Sequence, residues 1–286
     1  MDIAAPNETA QIEVKDPFDR FLAPVLFLGA AVIYNAILAI LNAHVMHVSQ
    51  GTVVVAEGMI VLGAVAYLMT KLSFVRNCPE VLLFQLAMLV IFFGVTLLSE
   101  FLNVKAFRDI FLITVFFLLG TITSQRNMIV TFRIITVTVF IFMIIEAYMT
   151  SIYAGIFNPA SYYANTRGIE QLSEDDSGLF RNSLGFQGRF SFGIFDTHRL
   201  SSIFIEQVAM ANFALVLAAY LTTMWQSLNK FDRYFIFMTT VFILLTNNSR
   251  TASALCAFIF IGHFVFPLLP RKINFLYPII VLSLVF

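Results

Sequence analysis

The stretch "DTHRLSSIFIEQVAMANFALVLAAYL", residues 196–221, is almost wholly apolar, yet it carries Arg199 at its mouth and Glu206 two turns in. As a helix it would place 199, 202, 203 and 206 on one face, so Arg199, Ser202 and Glu206 would form a polar stripe along it. Such a stripe is odd in a soluble core. In a bilayer it is expensive, and an ionisable residue there points to function.

Composition decides between those two settings. The 286 residues are 59% hydrophobic and only 12% charged, about half the charged share of an ordinary globular domain. Thirty-three Phe against one Trp add further apolar bulk. Too few charges are available to coat a soluble surface, so the chain reads as an integral membrane protein. Net charge is zero, which gives no basic field for nucleic acid. The two cysteines, Cys78 and Cys256, suggest neither a disulfide nor a metal set. No cofactor is implied. Residues 1–20 are polar and acidic with no basic start, which fits a cytoplasmic tail rather than a cleavable signal peptide.

The rest, 21–286, reads as one all-α polytopic transmembrane bundle. A span needs about 20 apolar residues, which gives about nine runs, the last incomplete. They fall near 21–43, 52–70, 81–99, 109–124, 128–153, 201–224, 234–248, 251–269 and 273–286. Helices are expected because lipid leaves no partner for unpaired backbone groups, and runs this long do not alternate like barrel strands. The ninth run would be roughly 21 Å long against a hydrocarbon core of about 30 Å. The sequence is therefore expected to be a piece of a longer protein.

Lys71, Arg76, Arg126, Lys230, Arg233, Arg271 and Lys272 fall in one set of short connections, and Lys15 and Arg20 precede the first span. The opposite set holds only Lys105, Arg108 and Arg250. By the positive-inside rule the N-terminus is cytoplasmic, and the long connection at about 154–200 lies outside. That loop interleaves Gly, Tyr, Phe and Arg with an acidic "SEDDS" patch. Long loops of this kind are functional or disordered. Arg181 and Arg189 within it suit contact with a glycan or an anionic head group; the blander reading is an interfacial flap held down by its Phe residues.

On this topology Glu57, Arg108, Asp109, Glu146, Arg199, Glu206 and Arg250 all fall in the outer third, which scattered snorkelling would not produce. A polar cavity open to the outer face accounts for them. Arg133, near an inner end, is read as snorkelling. In the turn "NNSRT", residues 247–251, Ser249 and Thr251 can cap the helix that follows. Its free N–H groups, its dipole and the Arg250 guanidinium suit a phosphate or diphosphate. The bland alternative pairs Arg250 with Glu206 or Glu146. Glu206 reads as a general base or, by preference, as the anchor that orients Arg199 and Arg250. His198 adjoins the site. His44 and His47 make an H-x-x-H pair, but two ligands are no metal site.

"HRLSSIFIEQVAMANFALVLAAYL" followed by "LLTNNSRTASALCAFIFIGHFVF" resembles the core of the bacterial O-antigen ligase and polysaccharide polymerase superfamily. There an Arg precedes a Ser-rich helix start with an "FxE" element, and an "SR" pair opens a later helix. "RLSSIFIEQ" looks most like polymerases of exopolysaccharide clusters of the xanthan type. The resemblance covers residues 80–286 and implies a multi-pass protein of the bacterial inner membrane. Its members are metal-independent glycosyltransferases that move glycan from an undecaprenyl-diphosphate carrier onto an acceptor at the periplasmic face. By that resemblance Arg199, Arg250, Ser249 and Arg108 would bind the diphosphate, and Glu206 and His198 would be catalytic. Partners would be the lipid-linked oligosaccharide, the bilayer and other polysaccharide-assembly proteins. Arg167 and Gly178 also fit an R-x10-G spacing of polymerase loops, a weak match among thirteen glycines. One departure stands out: in the ligases a catalytic His lies in a later segment, and only His198 could take that role here. The competing expectation is a transporter or flippase for a lipid-linked or anionic polysaccharide. It would place the site nearer the midplane and commonly show internal repeats, which are not visible.

Overall fold

A computed structural model describes residues 17–70, 79–99, 104–168, 178–179, 198–265 and 268. The tail before residue 17, the ninth run at 273–286, and Arg181 and Arg189 lie outside these. Among the described residues the chain is helical, with α1 Pro17–His44, α2 Gln50–Thr70, α3 Pro79–Ser99, α4 Val104–Thr121, α5 Gln125–Tyr148, α6 Thr150–Phe157 and α7 Pro159–Arg167. A 3-10 turn, Ser202–Phe204, precedes α8 Gln207–Thr223, α9 Lys230–Asn247 and α10 Arg250–Val265. Leu26–His44, Gln50–Thr70 and Gln125–Tyr148 are long and apolar enough to cross a membrane. The stretch at 201–224 differs from expectation: its helix starts only at Gln207 and runs 17 residues, about 26 Å at the α-helical rise.

The chain divides into two compact units, Met1–Ala31 with Gly58–Thr131, and Val32–Glu57 with Phe132–Phe286. In the first, Ala64 and Leu68 of α2 pack with Val115 and Leu118 of α4, and Phe27, Val65, Val81 and Ile122 close around them. Thr114 of α4 donates to the Gln85 side chain of α3, which satisfies a hydroxyl on an apolar helix. Elsewhere α3 is apolar on every face and largely exposed; Leu97 and Leu98 face outward. A helix apolar all round suits a solvent that is itself apolar.

The second unit centres on α8. Met210, Ala214, Leu217, Ala218 and Leu221 are buried at the three- and four-residue spacing of one helix face. α8 packs against both α9 and α10, and its alanines allow backbones to approach closely. Along α5, Ile135, Val139, Met143 and Glu146 form one buried stripe, so the Glu146 carboxyl points into the unit with the apolar side chains. Phe132 of α5 stacks on Tyr220 of α8 at 4.0 Å between ring centroids. Arg133, read from the sequence as snorkelling, instead forms a two-pronged ion pair with the buried Asp232 of α9, with 2.9 Å from Nε to Oδ1. A fork-shaped guanidinium suits that carboxylate better than an excursion to solvent.

The expected long loop begins as structure. Asn158, in the left-handed region at φ 39°, ends α6, and its side chain accepts from the Ser161 N–H to start α7, with Pro159 at the first helical position. α7 then lays polar residues on α1. The Tyr162 hydroxyl donates to Asn35 at 2.8 Å, Asn165 donates to Asn42 at 2.8 Å, and Asn42 donates to Ser161 at 3.2 Å. Residues 150–157 and 159–167 are thus helical and α7 is docked on α1, whereas the sequence reading begins the long loop at about 154.

Candidate functional site

The residues 198–206 do not continue α8 backwards. Ser202 and Ile205 both sit in the left-handed region, at φ 51° and 64°, a conformation that costs a non-glycine residue about 1–2 kcal/mol. Surrounding bonds over-determine it. The Glu146 carboxylate accepts the Ser201 N–H at 2.8 Å, the Ser202 N–H at 2.6 Å and the Ser201 hydroxyl at 3.0 Å. Ser202 Oγ donates to the Val139 carbonyl at 2.7 Å, and the Tyr153 hydroxyl donates to the Ser202 carbonyl at 2.7 Å. The expected polar face of one helix through 199, 202 and 206 is therefore absent. Backbone groups that would have propagated a helix are drawn instead onto α5 and Tyr153.

The second motif meets the first directly. α9 ends at Asn247, Asn248 turns left-handed at φ 55°, and Ser249 caps α10, its Oγ accepting the Ala252 N–H at 3.3 Å. Asn247 Nδ2 donates to the carbonyls of Leu200, at 3.1 Å, and Gln207, at 2.8 Å. Arg199 Nη2 donates to the Asn248 carbonyl at 3.1 Å. Two turns separated by about fifty residues in sequence are thereby fixed side by side, with Arg199 in one and Ser249 and the exposed Arg250 in the other. One first-turn donor of α10 is already taken by Ser249, so an anion here would meet the remaining N–H groups together with guanidinium charge.

Glu206 is the N-cap of α8, but its side chain caps no N–H. Its partner is Arg167 at the end of α7, through two bonds of 3.0 and 2.9 Å. This corrects the expectation that Glu206 orients Arg199 and Arg250, or pairs with Arg250. The Arg167 guanidinium also lies 4.6 Å above the Tyr163 ring. The hydrogen bonds to Glu206 raise the Arg167 pKa further above its ordinary value. The R-x10-G spacing singles out Arg167 in the sequence, but nothing there points to Glu206 as its partner, which lies 39 residues away.

His198 is buried. Burial pushes its imidazole below the ordinary value of 6.5, opposed by a backbone hydrogen bond at Glu146, so the ring is neutral at pH 7. Arg108 belongs to the first unit, where it pairs with the adjacent Asp109 at 2.8 Å. His44 Nε2 bonds the Ile156 carbonyl at 3.1 Å, which gives it a structural use. Glu57 accepts from the Tyr34 hydroxyl at 2.5 Å. No group of three or more His, Cys, Asp or Glu able to hold a metal occurs among the described residues. Tyr153 and Asn247 escaped sequence reading, since each bonds backbone that is remote in sequence, and so did Ser201, whose hydroxyl bonds the Glu146 carboxylate 55 residues away.

No model of a known protein family matches this chain, and neither a curated protein nor a solved structure does.

Proposed function

We propose that the protein is a membrane glycosyltransferase that polymerises or transfers glycan repeat units carried on undecaprenyl diphosphate, at the periplasmic face of the bacterial inner membrane. The observation that carries this reading is the junction of the two arginine-bearing turns through Asn247 and the Asn248 carbonyl. In this reading Arg199, Arg250 and the α10 N-terminus would bind one anion, because the turns that carry them are held side by side. A diphosphate is already a good leaving group, so its chemistry chiefly needs stabilisation of the departing charge. Guanidinium forks do that without a metal.

In this reading the helices from α1 to α10 span or line the bilayer, the N-terminus is cytoplasmic, and the 199–206 and 247–250 turns face the periplasm. The junction supports a diphosphate site; acceptor, sugar and linkage would be set by the loop between α7 and His198. The test is to supply purified lipid-diphosphate repeat units to membranes containing the protein and resolve the products by size. A ladder of lengths supports polymerisation and a single transferred unit supports ligation. Movement of labelled substrate across the membrane without any new glycosidic bond would replace this reading with transport.

A further inference from the structure

Glu146 is completely buried, and a carboxylate in such a place is costly unless its oxygens are fully engaged. They are engaged in an unusual way. Consecutive N–H groups, with Ser202 in the left-handed conformation, form a small concavity of the kind that binds anions. Oε2 of Glu146 occupies it, taking the N–H of Ser201 at 2.8 Å and of Ser202 at 2.6 Å, while Oε1 takes the Ser201 hydroxyl at 3.0 Å. The turn held in this way begins two residues after Arg199. On its other side Leu200 and Gln207 are tied through their carbonyls to Asn247, and Arg199 to the Asn248 carbonyl.

We infer that Glu146 is a positioning residue: its carboxylate fills the concavity made by Ser201 and Ser202 and thereby fixes the Arg199 turn against the Asn247–Asn248 turn. That this turn serves a diphosphate rests on the function proposed above; that Glu146 sets its conformation does not. The role is geometric rather than a matter of charge, because both Oε2 bonds come from N–H donors that an amide oxygen also accepts. Glu146→Gln keeps those bonds, and its NH2 donates to the Ser201 hydroxyl. Glu146→Asp keeps the charge but withdraws it by one methylene, about 1.5 Å. Glu146→Ala leaves two buried N–H groups without an acceptor.

The test reads amide hydrogen exchange at Ser201 and Ser202 in the full chain in detergent or nanodiscs, and binding of inorganic pyrophosphate to the same samples. In Glu146→Ala and Glu146→Asp the two amides exchange about 10-fold faster or more, the effect of losing a buried acceptor. The amides of Met210–Leu221 in α8 keep their protection, which separates a released turn from an unfolded protein. Glu146→Gln matches wild type in exchange. Pyrophosphate binding follows the same order, near wild type in Glu146→Gln and weaker by about 10-fold in the other two. Unchanged exchange in Glu146→Ala overturns the inference. So does a Glu146→Gln protein that keeps its amide protection yet binds as poorly as Glu146→Ala, since charge would then be what matters. Accelerated exchange with pyrophosphate binding intact supports the conformational role of Glu146 and overturns the link between this turn and the diphosphate. If wild type itself binds no pyrophosphate, the diphosphate reading falls, and exchange alone decides the role of Glu146.

Discussion

At the scale of single residues, the ionic contacts differ in what they are worth. The Asp232 side chain is 4% exposed while its partner Arg133 is 46% exposed, so the two halves of the pair are not equivalent. Arg133→Ala strands a buried carboxylate, which costs about 3 kcal/mol or more when a buried pair is broken from one side. Asp232→Asn leaves a neutral amide inside and a guanidinium that can turn to solvent, so it is the milder change. Denaturation in detergent should rank them in that order, and the reverse order would mean that Arg133 is the buried member. Arg167 and Glu206 form a more open pair, at 47% and 27% exposure. Their coupling in a double-mutant cycle should stay within about 1 kcal/mol. His198 adds a pH dependence of definite sign. Its pKa is lowered by burial, so the stability gained from a neutral ring is complete above the ordinary value of 6.5 and is lost as pH falls through the lowered one. Thermal unfolding between pH 7.5 and pH 5 should show that loss in wild type and less of it in His198→Asn.

At the scale of elements, the breaks matter more than the helices. Asn158 ends one helix and starts the next from a left-handed conformation, so Asn158→Ala removes both the tolerated φ and the cap, at about 1–2 kcal/mol. Gly168, at φ 64°, ends α7. A methyl there meets no neighbour among the described residues, and Gly168→Ala should still destabilise by about 1 kcal/mol through backbone strain. A variant as stable as wild type would show that α7 can end in another conformation. The break before α8 was the feature least legible in sequence. "RLSSIFIE" contains neither glycine nor proline, and its apolar spacing suits a helix. What unwinds it is Glu146, more than fifty residues earlier.

At the scale of the whole molecule, the helical class was legible because apolar runs of span length leave few other solutions. A helix overlaps each of the first eight runs, and three are long and apolar enough to cross a membrane. The candidate site was legible in part. Arg199 and the Ser249–Arg250 turn stood out as charge within apolar sequence, and the structure joins their turns through Asn247 and Asn248. Glu206 stood out equally, but its partner did not: charge pairing across a fold depends on which helix ends meet, and periodicity carries no such information. Glu146 was visible as a buried acid, whereas its use as an acceptor for backbone N–H groups was not.

The account turns on Arg199 and Arg250 acting on one diphosphate. The most direct measurement is product length from lipid-diphosphate repeat units in membranes bearing wild type, Arg199→Ala or Arg250→Ala at equal protein level. Wild type should give elongated or transferred glycan, and each variant should lose it while still inserting, by about 100-fold or more, the scale of removing one preorganised charge stabiliser. Product at the wild-type level from both variants would contradict the account.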